Sequence, residues 1–544
     1  MSAVTEPQDA TKPRPSSQTD DHAGHKGLSS AVRVISSLTL VSRIAGLARD
    51  LVTARIVGDS ALGSAFMAAW AIPNLFRRLF GEGALAAAFL PEYARASRDD
   101  PEISDRFATL TVFVLALVTG VLLLVGEGVL LAFLFLAPPD PDRVLSLRLM
   151  MLMLPFMPLV CVAAILGGML QAHGRFGPTA AAPVLLNVFV IAAGLPHFFV
   201  PDADPVRTAY FIGISAVLAG VAQVAWSLFA LRGRVTWRRG FARAAEPARR
   251  MMRRFLPVVV GMGTIQLNSL VDTLIAMWPV WFGPTVLGMS YPLDPASNSV
   301  LAYTQRLYQF PLGVFGIAVA TAVFPMLART SEDPHAFLST LRRGLRLSFF
   351  IGLPASLGLL LIREPLTGVM YGGPGSAFSN EGVRRAAAVL LGYAPGVWAY
   401  SLNHVVTRAF YAAGNTTTPM RVAIGVVGLN MLLNVTLIWP LGEAGLAWST
   451  SISATVQLLV LIQLSKRLTH APAFDRETLA GCGRVLAASL VMMALVWGAM
   501  LPVGSPESWS GRLVAVAVAV TVGGVAYPIA AVALRCPELR WLIR

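Results

Sequence analysis

SRIAGLARDLVTARIVGDSALGSAFMAAWAIPNLFRRLFGEGALAAAFLPEY, residues 42–93, decides the fold class of this chain. Its apolar runs are long enough to cross a bilayer, yet they carry Arg43, Arg49, Arg77, Arg78 and Glu82. A charged side chain at membrane depth costs roughly 2.5–3.5 kcal/mol on insertion scales. Several are kept only where they pair, line a wet cavity or hold a charged substrate. The stretch therefore implies a membrane transporter with a polar, cationic interior.

The remainder of the chain agrees. Of 544 residues, 55% are hydrophobic and only 13% charged, and the mean hydropathy is +0.65. A soluble protein carries about 25% charged residues. At about 20 apolar residues per crossing, fourteen candidate spans emerge: 30–57, 60–91, 107–136, 144–172, 179–199, 207–231, 252–282, 297–328, 343–371, 385–413, 418–440, 444–466, 479–502 and 511–535. The expected fold is an all-α polytopic membrane protein.

A net charge of +14 would suit nucleic acid, but its placement argues for topology instead. Nine arginines crowd into 232–254, between spans six and seven, and smaller basic groups follow spans two, eight and twelve. Alternate loops are nearly free of Lys and Arg, 283–296 entirely so. This is the positive-inside pattern. It predicts a multi-pass membrane protein with both termini cytoplasmic and basic loops facing anionic membrane lipids. No nucleic-acid partner is expected. Residues 1–28 are polar and read as a disordered cytoplasmic tail, with no cleavable signal peptide before the first span.

An internal repeat relates the two halves. AAAFLPEYAR at 86–95 echoes ATAVFPMLAR at 320–329, and AHGRFGPTAAAPVLLNV at 172–188 echoes AAGNTTTPMRVAIGVVGLNMLLNV at 412–435. Six spans separate each pair, so the copies share one orientation, with a pseudo-two-fold along the membrane normal and a site between them. The expected organisation is an N-lobe of six helices (29–231), a basic linker (232–254), a C-lobe of helices seven to twelve (255–466) and a two-helix appendage (467–544).

Arg43 and Arg49 lie six residues apart in span one, about 9 Å of rise and about 240° of turn, with Gly46 between them to permit a bend. Arg78 and Glu82, four apart, fit one helix face as a gate or a structural pair, and Gly81 and Gly83 favour a kink beside them. Arg306 sits early in span eight. In the second half Asp272 is the only acid of span seven, Asn430 and Asn434 share a face of span eleven, and Thr450 lies on span twelve. Catalytic signatures are missing: no phosphate-binding P-loop, no HExxH, and Cys161, Cys482 and Cys536 without metal spacing. No cofactor and no catalytic residue are expected.

The wording of these stretches is also family-specific. SRxxGxxRD, PNLxRRxFxEGAxxxAFxP, LQAHGRFGPTAAAPVLLNV at 170–188, QRLYQFPLGVFGIAVATAVFPML at 305–327 and RAFYAAGNTTTPMRVAI at 408–424 fall in order. Together they resemble the signature of the MurJ (MviN) lipid II flippases, of the multidrug/oligosaccharidyl-lipid/polysaccharide exporter superfamily, over roughly residues 29–535. The resemblance implies a transporter rather than an enzyme: a monomer whose two lobes form a V around a cationic cavity, with a lipid-tail groove at helices 13 and 14. It implies lipid II as substrate, bound by Arg43, Arg49, Arg77 and Arg306. It further suggests a sodium site at Asp272, Asn430, Asn434 and Thr450. Two departures stand out. The family's DAF triplet reads SAF here, with Ser64 at the acidic position, and Gln305 replaces an aspartate before Arg306. Both remove negative charge, so a more positive cavity is expected. The alternatives are an exporter of another lipid-linked glycan, a cation-coupled multidrug antiporter of the same fold, and a non-transporting family member.

Overall fold

The computed structural model describes residues 37–38, 41–81, 84–469, 471–504 and 506–543. The expected N-terminal tail and Glu82 lie outside the described residues. The chain is helical almost throughout. In order the helices are α1 (41–57), α2 (Ala61–Phe76), α3 (Ala84–Asp99), α4 (Pro101–Leu136), α5 (Pro141–Met153), α6 (Phe156–Ala172), α7 (Gly177–Gly194), α8 (Pro205–Leu231), α9 (Ala245–Trp281), α10 (Ser297–Pro311), α11 (Ile317–Arg329), α12 (Pro334–Met370), α13 (Asn380–Tyr393), α14 (Val397–Ala412), α15 (Thr417–Leu441), α16 (Glu443–Thr469), α17 (Arg476–Met500), α18 (Trp509–Ala533) and α19 (Glu538–Ile543).

Among the described residues, nine segments are long and apolar enough to cross a membrane, counting α5–α6 as one. Five further segments complete fourteen: α1, α2–α3, α9, α10–α11 and α13–α14. Of these, α1, α2–α3, α9 and α10–α11 carry candidate charged residues, and α2–α3 and α10–α11 are interrupted by π-helical turns. Fourteen crossings put the 232–254 segment, the α3–α4 and α11–α12 turns and α19 at one end of the molecule, here called the basic end; the opposite end is the far end.

Local chemistry repeats with the sequence. A π turn at Arg77–Gly81 in the first half has a counterpart at Leu312–Gly316 in the second, 235 residues on. Each adds a residue to one helical turn and loosens its hydrogen bonds. The irregularity expected around Gly81 is this turn. Pro91 and Pro325 follow inside α3 and α11. Both copies then start a long helix with Asp-Pro: Asp100 accepts from the Glu102 and Ile103 amides, and Asp333 from His335 and Ala336. An aspartate N-cap with proline at the first position is a strong helix start. The α6–α7 turn places Gly174 at φ +72°, with Arg175 N–H donating to Leu170 O. The α14–α15 turn places Gly414 at φ +74°, with Asn415 N–H donating to Phe410 O. Both close five residues back in a Schellman geometry, which needs the left-handed conformation glycine supplies.

Packing follows the same division. In the first half α6 and α7 pack on α8, α2 on α5 and α4 on α6; in the second α15 packs on α16, and α12 and α16 on α14. The first half closes over Phe66, Phe89, Tyr93, Phe107 and Phe156, all fully buried. α17 and α18 pair with each other and lie against α12. The lobes meet through α2 and α3 against α9, and α2 against α10.

Candidate functional site

The seam between lobes holds the charged residues. α1 runs through Gly46 without a break in its helical pattern, so the expected bend is not needed. Gly46 instead sits beside Asn187, whose amide donates to Ser42 O at 3.2 Å. Arg43 reaches the π turn of the other lobe. Its Nη1 lies 2.9 Å from where a Cβ on Gly313 would stand, so a side chain there would push the guanidinium aside.

One turn and a half further on, Arg49 donates to Asp50 Oδ1 through Nε (3.0 Å) and Nη2 (2.7 Å), and lies 5.9 Å from the Trp70 ring centre. The second carboxylate oxygen of Asp50 is 3.7 Å from Arg306 Nε. Asp50 thus sits between an arginine of each lobe. Asp50, the last residue of the SRxxGxxRD stretch, was not among the expected site residues. An acid directly after Arg49 in an apolar run was the available signal.

A cleft opens between α2, α9 and α10. Arg78 and Arg306 line it, with Asn74, Gln266, Ser269, Thr273 and Gln305 among the neutral polar groups and Met67 and Trp70 among the apolar ones. Arg77 Nε is 3.4 Å from Asn74 Oδ1. Of the four arginines expected to bind substrate, the structure joins Arg49 and Arg306 through Asp50, sets Arg43 against Gly313 and Arg77 beside Asn74; Arg78, in the π turn after α2, lines the cleft.

Both ends of the seam are closed. At the far end, Ser64 is fully buried; its Oγ accepts from Ser299 N–H at 3.0 Å and its carbonyl from Asn298 Nδ2 at 2.9 Å. Ser299 Oγ donates to Gly58 O at 2.6 Å. Asp59 accepts from both the backbone N–H and the hydroxyl of Ser379, each at 2.6 Å. At the basic end, Glu92 on α3 has a side chain with no exposed surface. Arg250 Nε donates to its Oε2 at 3.0 Å, and Arg254 Nη1 stands 2.9 Å from Oε1 as an ion pair out of line for a hydrogen bond. Glu92 was not among the expected residues.

In the second half, Asn434 Nδ2 donates to Asp272 Oδ1 at 2.6 Å and to Asn430 Oδ1 at 3.2 Å. Asn434 Oδ1 is buried without a partner. Three oxygen-bearing side chains so gathered, one with an orphaned oxygen, fit a hard cation. Thr450 does not join them through its proton, which goes to Leu446 O in its own helix at 2.9 Å. Among the described residues no cluster of three His, Cys, Asp or Glu side chains suits a metal ion.

A sequence profile described as Lipid II flippase MurJ matches residues 53–518. The chain belongs to the MurJ family. Similar MurJ relatives include the probable lipid II flippase of Vibrio cholerae, 31% identical over 482 residues that cover 85% of this chain and 88% of the relative. That of Haemophilus influenzae is 30% identical, covering 85% and 90%. Among solved structures, lipid II flippase MurJ in an inward closed conformation aligns with a TM-score of 0.74 at 22% identity, over 94% of this chain and 99% of that one. An inward-facing multidrug resistance MATE transporter of the MOP superfamily aligns at 0.65 with 13% identity, over 81% and 98%. These two likenesses carry the fold: an all-α polytopic transporter architecture, held in common by MurJ and MATE proteins.

Proposed function

We infer that this chain is a lipid II flippase, a transporter and not an enzyme. It carries the undecaprenyl-diphosphate-linked peptidoglycan precursor from the inner to the outer leaflet by alternating access. Membership of the MurJ family supports this, and the observation that carries the mechanism is the Arg49–Asp50–Arg306 bridge beside the cleft. A diphosphate competes with one carboxylate for two arginine forks. Arginine binds phosphate oxygens bidentately, so the incoming headgroup displaces Asp50 and draws both lobes onto itself. Arg43, Arg77 and Arg78 add positive charge along its path.

The orientation that fits is basic end cytoplasmic, with both termini there, in the bacterial cytoplasmic membrane and as a monomer. The membrane potential, negative inside, then acts on the charged cycle at about 2.3 kcal/mol per charge per 100 mV. A sodium ion held by Asp272, Asn430 and Asn434 is the coupling ion these residues suit, and sodium-dependent turnover lost in Asp272→Asn is its check.

The deciding experiment is rescue of a bacterium depleted of its own lipid II flippase, with lipid II on the outer leaflet quantified. The wild-type chain is expected to rescue. Arg306→Ala and Arg43→Ala, at matched membrane levels, are expected to lose surface lipid II by tenfold or more, taking about 1.4 kcal/mol as a factor of ten. Good expression without surface lipid II would reassign the substrate to another lipid-linked glycan or to none.

A further inference from the structure

α9 presents Gln266, Ser269 and Thr273 to the cleft, at positions i, i+3 and i+7. That spacing sets the three on one helix face over about 10 Å of rise. They stand in a membrane span, where a polar side chain is normally tied to another helix. The rest of the protein shows what such ties look like: Asn434 to Asp272 at 2.6 Å, Asn403 Nδ2 to Ala454 O at 2.8 Å, Ser451 Oγ to Gly392 O at 2.6 Å. Thr273 Oγ1 donates to Ser269 O at 3.1 Å and keeps its acceptor capacity. The side chains of Gln266 and Ser269 have no hydrogen-bond partner among the described residues. Amide and hydroxyl groups held at membrane depth and facing a cleft need water or a ligand to satisfy them. Across the cleft, Asn74 stands on α2 and Arg78 in the π turn after it, and Gln305 and Arg306 on α10.

We propose that the Gln266–Ser269–Thr273 face is the subsite for the uncharged, hydroxyl- and amide-bearing sugar portion of the headgroup, beside arginines that take its diphosphate. This rests on the lipid II reading and adds to it a division of labour. Arg306 and Arg49 recognise charge, which any polyprenyl diphosphate offers. The α9 face recognises what distinguishes a glycosylated lipid from a bare one. Neutral donors and acceptors suit sugar hydroxyl and acetamido groups, each of which both gives and accepts hydrogen bonds. A site that offers hydrogen-bond partners to a group favours the ligand that carries it over the analogue that lacks it.

The test is equilibrium binding to the purified full-length chain in lipid nanodiscs, with two probes: lipid II, and undecaprenyl diphosphate, which keeps the tail and diphosphate and lacks the sugars. Wild type is expected to prefer lipid II. Gln266→Leu and Ser269→Ala are each expected to lose about fivefold in lipid II affinity, one hydrogen bond's worth, with undecaprenyl diphosphate affinity unchanged. The ratio between probes is the readout, since a merely structural defect would weaken both together. Should Gln266→Leu fail to fold, Gln266→Met, unbranched and of similar length, is read in its place. Variants that keep the wild-type ratio would overturn the proposal while leaving the lipid II reading intact. Wild type that binds undecaprenyl diphosphate as tightly as lipid II would do the same. Wild type that binds neither would overturn the lipid II reading itself.

Discussion

The two ends of the lobe seam are shut by opposite kinds of chemistry. The far end uses small residues, backbone groups and hydroxyls: Gly58, Gly63, Ser64, Ser299 and Ser379, with Asp59 accepting from Ser379. The basic end uses one fully buried carboxylate, Glu92, beneath Arg250 and Arg254, which are 39% and 52% exposed. Close-packed backbone contacts are short-ranged and fail abruptly when the surfaces part. An ion pair with half-exposed arginines weakens gradually and exchanges readily with water or an anion. The comparison predicts that the seam opens first at the basic end, where the closing contact is an ion pair that water or an anion can replace.

Four changes would break or sharpen that contrast. The largest effect is expected from Gly63→Val. A Cβ there would lie 2.3 Å from Gly58 O and 2.5 Å from Ser299 Oγ. Overpacking against backbone belongs at the upper end of the ~1–3 kcal/mol range, and the far end should stay ajar. Thiol labelling of a cysteine placed at Ser269, in a background without the native cysteines, should then proceed from the far side; unchanged labelling would contradict the packing account.

Glu92→Gln comes next. Hydrogen bonds to charged groups contribute about 1.5–3 kcal/mol, and the exposure of both arginines puts this one at the low end. The same cysteine should label several-fold faster from the basic side. A rate equal to wild type would remove Glu92 from the closure.

Ser64→Ala is expected to cost no more than about 1 kcal/mol, because Ser299 N–H loses one of two acceptors and keeps Ala296 O at 3.0 Å. Far-side labelling should rise, by less than in Gly63→Val. If Ser64→Ala opened the far end more than Gly63→Val, hydrogen bonding rather than close packing would be the main closure.

The smallest effect is a pH dependence. Arg385 grips Asp294 with Nη1 and Nη2 at 2.8 Å each and Glu443 with Nε at 2.6 Å, steadying the start of α10 just before Asn298 and Ser299. Burial alone would raise the Asp294 carboxyl, but hydrogen bonds from Arg385, Ser297 and the Ala296 amide hold it below its ordinary 3.8. A depressed carboxyl stabilises the fold above its ordinary value and loses that contribution as pH falls through the folded one. Far-side labelling should therefore increase only below about pH 4, and Arg385→Gln should abolish the increase. An increase centred at pH 6 would point to a different group.

Much of this was legible in the chain. Apolar runs and the alternation of arginine-rich loops gave the crossings, because bilayer thickness and positive-inside topology act on local sequence. Arg43, Arg49 and Arg306 stood out as charges where charge is expensive. Glu92 did not, since its partner Arg250 lies 158 positions away and only tertiary packing brings them together; Asp50 was passed over although it directly follows Arg49, and only its second partner, Arg306, is remote. The neutral α9 face was passed over for a different reason. Glutamine and serine in an apolar span look the same whether they bond to a neighbouring helix or face a cleft. Gly81 gave a cue to the first π turn, whereas the repeat pointed to the second only through its flanks.

Those turns also bear on ancestry. If the two halves descend from one duplicated unit, a register slip found 235 residues apart in both was already present before the copies diverged. The side chains at the slip differ: Arg77 and Arg78 in the first copy stand where the second has Leu312 and Gly313. The irregular turn is then the older trait, and its positive charge was acquired, or kept, by one descendant alone. Gly313 in the other became the bare surface on which Arg43 now rests.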